Sequence, residues 1–243
     1  MFHVASCGST RALSGPRERY AYSTYMSHIA LLGDSIFDNG AYVRPGPDVI
    51  TQLRRKLPAG WQATLFARDG DVTSGVAGQL EVLPASATHL VISVGGNDAL
   101  QHQGVLAERI CFVAEGLQKL RAIQVEFSRY YRSMLTAVLH CGKPTVVCTI
   151  YDGCHPDIRE QQVRVAALAL FNDCIIRAAI ERELPVLDLR AICTQAADYA
   201  NPIEPGVAGG EKMAAAIIGV VQRHDFTGKS SAIYQGEARP ANL

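Results

Sequence analysis

Five short runs of almost continuous apolar character recur along the chain: HIALL (28–32), WQATLFA (61–67), HLVISV (89–94), PTVVCTI (144–150) and PVLDL (185–189). Such runs, with no polar alternation, predict strands buried on both faces. The segments between them have helical character: 48–57, 74–83, a long stretch from about 106 to 139 read as one or two helices, 159–183, and a last helix ending near 222. In 159–183 the apolar residues at 165, 168, 171, 175 and 176 fall on one helix face. No hairpin signal joins consecutive strands, so the connections must be crossovers and the strands parallel. The expected fold is a three-layer α/β/α sandwich with a flavodoxin-like, five-stranded parallel sheet. It occupies one domain, residues 26–224.

Both ends read differently. Residues 1–25 lack an apolar core of the secretory type and are expected to be a disordered extension. Residues 225–243 are polar, Gly-bearing and aperiodic, and are expected to form a flexible tail.

In open parallel sheets the functional crevice lies beyond the carboxyl ends of the strands. That directs attention to five loops: 33–44, 68–74, 95–103, 151–158 and 190–210. The rest of the composition narrows what they can do. Lys+Arg and Asp+Glu are 23 each, so no global basic bias points to nucleic acid or an anionic membrane. No apolar run reaches the roughly 18 residues of a membrane span. The seven cysteines are odd in number and form no CxxC pair. They read as small buried residues in a reducing compartment, hence a cytoplasmic protein without a zinc site. Neither a Walker A motif nor GxGxxG is present, so no nucleotide cofactor is expected.

The first loop, GDSIFDNGAYV, places Ser35 immediately after a buried strand. A hydroxyl there can meet a substrate, or simply cap a turn. Asp38 and Asn39, just beyond it, could contact substrate or cap the turn. The third loop, VGGNDAL, brings the Asn97 amide to the same edge, and the second, RDGDVTSG, brings Gly70. An amide plus backbone N–H groups can form an oxyanion hole.

In this order, LLGDSIFDNG, ARDGDVTSG, VISVGGND and the Gly-Gly before the last helix resemble the SGNH (GDSL-type) hydrolases over roughly residues 26–223. The resemblance implies Ser35 as nucleophile, with its own N–H, Gly70 and Asn97 as oxyanion donors. It also implies an Asp-x-x-His motif before the final helix, the histidine serving as general base. Here that stretch reads Asn201-Pro202-Ile203-Glu204-Pro205, with Asn201 at the aspartate position and Glu204 at the histidine position. A serine hydroxyl needs a base. A carboxylate with an ordinary pKa of about 4.3 is a weak one unless burial raises it.

Other bases are therefore considered. His28, His89 and His140 fall at the opposite edge of the sheet, and His3 and His224 near the termini. His102 follows the third loop. His155 lies in YDGCHPD after the fourth strand, where Asp152 and His155 themselves spell Asp-x-x-His-Pro. The base could be His155 oriented by Asp152, His102, or Glu204, or no base at all. Two functions remain: a serine hydrolase acting on esters of small acyl or acetyl groups through an acyl-enzyme on Ser35, or a non-catalytic descendant, a pseudoenzyme binding an acyl or carbohydrate ligand in the retained pocket.

Overall fold

The structure is a computed structural model that describes residues 26–236. The N-terminal extension expected over 1–25, and the last seven positions of the tail, lie outside the described residues.

Six strands form one parallel sheet in the order β2-β1-β3-β4-β5-β6: β1 (His28–Gly33), β2 (Gln62–Leu65), β3 (His89–Ser93), β4 (Thr145–Cys148), β5 (Val186–Leu187) and β6 (Ile233–Tyr234). Helices α1 (Val49–Lys56) and α7 (Val207–Arg223) cover one face, and α4 (Val113–Leu139) and α5 (Ile158–Ile180) cover the other. Strand β1 shows why its apolar run is unbroken. Ile29 and Leu31 pack with the α1/α7 core, while Ala30 and Leu32 pack with the α4/α5 core, and all four are fully buried.

The sheet has one strand more than the five expected. β6 comes from the segment after Asp225 and pairs in parallel with β5, Val186 opposite Ile233 and Leu187 opposite Tyr234. A two-residue edge strand carries no periodicity, which is why the sequence hides it. What holds it is aromatic packing. Tyr234 joins the α1/α7 core and contacts His224, and its hydroxyl lies 3.0 Å from His224 Nδ1.

The long stretch before β4 is a single helix, α4, preceded by short α3 (Gly96–Gln101) and a 3₁₀ turn, Gln103–Ala107. A further short helix, α2 (Val76–Leu80), follows the second loop, and α6 (Leu189–Ile192) follows β5.

Helix α7 starts at Val207, ahead of its helix-prone part at Lys212–Ile217. Glycines disfavour helix on propensity alone, but packing requires them here. A Cβ on Gly209 would sit 2.2 Å from the Asp198 carbonyl oxygen, and one on Gly210 would sit 2.9 Å from the Gln52 amide nitrogen. The two glycines let the start of α7 close against the loop that follows β5 and against α1.

Candidate active site

The site begins where β1 ends. Gly33 has φ +125°, and a Cβ there would lie 1.8 Å from the Ser93 carbonyl oxygen of the neighbouring strand, so only glycine fits. From it the chain makes one tight turn. Asp34 N–H donates to Ser93 O at 3.1 Å, and Phe37 N–H and Asp38 N–H both donate to Asp34 O at 3.1 Å. Ser35 sits on this turn, 6% exposed. The fully buried Gln79 brackets Gly33, its amide oxygen accepting from Gly33 N–H at 2.8 Å and its nitrogen donating to Gly33 O at 2.7 Å.

The same amide nitrogen of Gln79 donates to Asp71 Oδ2 at 2.7 Å, and Asn97 Nδ2 donates to Asp71 O at 2.8 Å. Thr73 adds two bonds to Asp98 Oδ2, from N–H and hydroxyl, at 3.0 Å each. Asp69 N–H donates to Asp38 Oδ2 at 3.0 Å. Loops one, two and three are thus tied together by polar contacts. Ser35 and Asn97 line one cavity, while Gly70 is exposed on the second loop outside the cavity wall. Within the described residues no protein acceptor takes the backbone N–H of Ser35 or of Gly70.

The partner of the serine is the carboxylate from the last loop. Ser35 Oγ donates to Glu204 Oε1 at 3.1 Å, and Glu204 is 6% exposed. Its other oxygen, Oε2, is buried with no hydrogen-bond partner among the described residues. Burial without a compensating donor disfavours the charged form. Burial accordingly pushes the Glu204 carboxyl up from 4.5 to about 7, against the opposing pull of the Ser35 hydrogen bond, with Asp69 adding to the rise. Burial likewise pushes the Asp34 carboxyl up to about 8, although Ile36 N–H bonds to it; Glu204 and Asp98 reinforce the rise.

The loop carrying Glu204 is held from several sides. Asn201 Oδ1 accepts from Ile203 N–H at 3.0 Å and from Glu204 N–H at 2.9 Å, an Asx turn that sets the direction of the Glu204 backbone. Ala200 N–H donates to Glu204 O at 2.9 Å. The Tyr151 hydroxyl donates to Ile203 O at 2.6 Å, and Cys154 N–H to Pro202 O at 2.9 Å. Asn39 is fully buried, and instead of facing substrate it joins Val49 N–H to Pro205 O. The structural use of Asn39, Asn201 and Tyr151 has no signature in the sequence beyond their closeness to the loops.

His155 and Asp152 also line the cavity, but with different partners. His155 Nδ1 accepts from Asp157 N–H at 3.1 Å, and Nε2 lies 3.4 Å from Glu160 Oε2. Both partners belong to the start of α5. Asp152 is half-buried, and its carboxyl is raised by burial, which outweighs Arg190. No hydrogen bond joins Asp152 to His155, or His155 or His102 to Ser35, among the described residues. His102 lines the cavity at the end of α3.

The cavity, about 110 Å3, opens from Ser35, Asn97 and Glu204 into a space walled by α3, the 3₁₀ turn after it, α4 and α5. Among the described residues no group of three or more His, Cys, Asp or Glu is placed to hold a metal ion, and no helix is long and apolar enough to cross a membrane. The six described cysteines are free thiols.

Solved structures of similar shape include the lipase Lip_vut3 from a goat rumen metagenome, with TM-score 0.60 and 18% identity over 81% of this chain and 98% of that one. An extracellular lipase from Streptomyces rimosus matches with TM-score 0.60 and 15% identity, covering 81% of this chain and 99% of that chain. An acetyl xylan esterase, AlAXEase, matches with TM-score 0.59 and 16% identity, covering 80% and 99%. At these identities the likeness is one of fold. No curated protein matches the sequence. The sequence profile of the GDSL-like Lipase/Acylhydrolase family matches residues 31–210, a span that holds Ser35, Asn97 and Glu204 alike. The chain belongs to that family.

Proposed function

We propose that the protein is a serine hydrolase of carboxylic esters in which Glu204, standing where the family resemblance expects a histidine, is the general base. The observation that carries this reading is the 3.1 Å hydrogen bond from Ser35 Oγ to a buried carboxylate whose pKa is pushed to about 7. An efficient base has a pKa near the working pH. At that value Glu204 is ionised in a useful fraction of molecules at neutral pH, and is basic enough to draw the serine proton.

In the first half-reaction Glu204 takes the proton from Ser35 as Oγ bonds to the ester carbonyl carbon. The tetrahedral oxyanion is met by the Ser35 N–H and the Asn97 amide, the two of the three expected donors that line the cavity. Collapse breaks the bond to the alkoxy oxygen, which leaves as alcohol with the proton held by Glu204. In the second half-reaction Glu204 takes a proton from water as its oxygen bonds to the acyl carbon, then returns that proton to Ser35 Oγ as the Oγ–acyl bond breaks, so the acid departs and both side chains regain their starting forms. Asn201 positions the base through the Glu204 backbone rather than acting as a triad acid.

A second reading is favoured by one observation, that no histidine among the described residues bonds Ser35. In that reading the pocket binds an acyl ligand without turnover. A fluorophosphonate probe, which reports only an activated serine, separates the two. The expected outcome is labelling of the wild type that rises with pH through about 7, and none in Ser35→Ala or Glu204→Gln. A wild type that stays unlabelled from neutral to alkaline pH would sink the hydrolase reading.

A further inference from the structure

Large apolar side chains stand in water along one short segment, from the 3₁₀ turn to the second turn of α4. They are Leu106, Phe112, Val113 and Leu117, with Phe112 and Val113 at 76% and 75% exposure. The segment is not loose. Cys111 N–H donates to Glu115 Oε2 at 3.1 Å, Glu115 N–H to Phe112 O at 3.0 Å, and Lys119 Nζ to Glu108 Oε2 at 2.7 Å. Ile110 lies against Gly116, where a Cβ would sit 2.9 Å from its Cδ1. The charged side chains thus bond one another while the apolar ones face water, the reverse of an ordinary soluble surface.

This segment adjoins the cavity mouth. In a parallel sheet the crossover helices start at the carboxyl edge, so the first turns of α4 and α5 stand there together. Ile158 opens α5 and is exposed. Leu106 and Ile203 are exposed and also line the cavity, so the apolar patch runs into its opening. The same edge carries Arg44 and Arg68 on the loops after β1 and β2, Arg109 before α4 and Arg159 at the start of α5. All four are exposed, and none makes an ion pair or a side-chain hydrogen bond among the described residues. The exposed acids nearby are engaged. Glu108 holds Lys119, Glu160 holds Arg164, Asp69 accepts from the Tyr42 hydroxyl, and Asp157 caps α5. Charges balance over the whole chain, but this edge presents uncompensated arginines around an apolar patch.

We propose that this edge is a docking surface for an anionic lipid bilayer, on which the protein settles with its cavity mouth toward the headgroups. The apolar side chains enter the boundary between headgroups and acyl chains, and the arginines meet lipid phosphates. A second copy of the chain fits the face less well, because a two-fold contact would set the same unpaired arginines against each other. Docking needs no chemistry at Ser35, so it stands apart from the hydrolase reading.

The test uses the full chain with vesicles of phosphatidylcholine alone, and of phosphatidylcholine and phosphatidylglycerol in equal parts. Flotation measures binding. Maleimide labelling, read by peptide mass spectrometry, reports orientation: exposed Cys111 lies inside the patch, whereas half-buried Cys141 lies just past the opposite end of α4, roughly 40 Å along the helix. The mixed vesicles are expected to bind at least tenfold more tightly than phosphatidylcholine alone, less so as salt rises. Bound protein is expected to protect Cys111 and leave Cys141 as reactive as in solution. Phe112→Asp and Val113→Asp should each weaken binding at least tenfold, and Arg109→Gln about fivefold, all three with the wild-type melting profile.

No flotation, equal affinity for the two vesicle types, or bound protein whose Cys111 labels at the free rate overturns the proposal. Protection of Cys111 without vesicles, growing with protein concentration alongside a dimer in sedimentation velocity, assigns the face to a second copy instead. Two mixed outcomes separate docking from the hydrolase reading. Oriented vesicle binding with no turnover of any ester removes the hydrolase reading and leaves the docking surface. Turnover of dissolved esters with no flotation removes the docking surface and leaves the hydrolase.

Discussion

Two loops at the same edge of the sheet make opposite uses of their residues. The loop after β4 spells Asp-x-x-His-Pro, with Asp152 and His155 at the spacing of a base and its orienting acid. The loop after β5 spells Asn-x-x-Glu-Pro. Yet the first spends both ring nitrogens of its histidine on the start of α5, while the second delivers its carboxylate to the serine. A spacing says which residues could meet. Which of them do meet depends on where each loop is pinned. The loop after β5 is pinned by Asn201, Asn39 and the Tyr151 hydroxyl, the last of these supplied by the other loop. In this arrangement the loop after β4 acts as a support for the loop after β5.

The largest expected effect breaks the comparison at its functional side. Glu204→Gln keeps shape and hydrogen-bonding capacity but removes the base, so kcat/KM for a p-nitrophenyl ester should drop by about 100- to 10000-fold. In the wild type the same parameter should rise with pH and level off above about 7, because only the ionised carboxylate can accept the serine proton. A profile flat through that range would count against Glu204. Asn97→Ala comes next. It removes an amide anchored on Asp71 O that lines the same cavity as Ser35, and should cost about 100- to 1000-fold in kcat with a much smaller change in KM.

The fold was largely legible, because its strands are buried on both faces and its helices carry a clear period. The placement of Ser35 and Asn97 was legible because each lies within four residues of a strand's end and so must sit at the sheet's carboxyl edge. The pairing of Ser35 with Glu204 was one alternative among several in the sequence, and choosing it depends on a contact between residues 169 positions apart. Nor was the raised pKa, which comes from burial around a carboxylate oxygen without a partner. Strand β6 escaped because two residues make no pattern. The early start of α7 escaped because a requirement for close packing overrode the poor helix propensity of Gly209 and Gly210.

A smaller effect concerns stability. The Glu204 carboxyl titrates at about 7 in the fold and at its ordinary value of 4.5 when exposed. Between those two values the unfolded chain releases its proton while the folded protein keeps it, so rising pH favours unfolding across that window. The protonated form is the one the buried site tolerates. Glu204→Gln removes this slope and leaves that of Asp34 in place. The variant should match the wild type near pH 4 and exceed it near pH 8 by on the order of 1 to 3 kcal/mol, a few degrees in Tm. Thermal melts at the two pH values check it, and a variant less stable than the wild type at pH 8 would contradict the burial argument. Catalytic poise and stability are then opposed at one residue.

The smallest expected effect lies at the other loop, and it sharpens the comparison most. If His155 only closes the start of α5, His155→Ala gives up a hydrogen bond from Asp157 N–H and an exposed contact with Glu160. Asp157 still caps the helix by accepting from Arg159 N–H and Glu160 N–H, so α5 keeps its N-terminus. The loss should stay within about 1 kcal/mol of stability, and fluorophosphonate labelling of Ser35 should change by no more than about threefold. Asp152→Asn should behave alike, since its carboxyl faces Arg190 and makes no bond to the imidazole. A fall in labelling as deep as that of Glu204→Gln would reverse the assignment of the two loops. It would mean that the imidazole leaves Asp157 and Glu160 and swings to the serine when substrate binds.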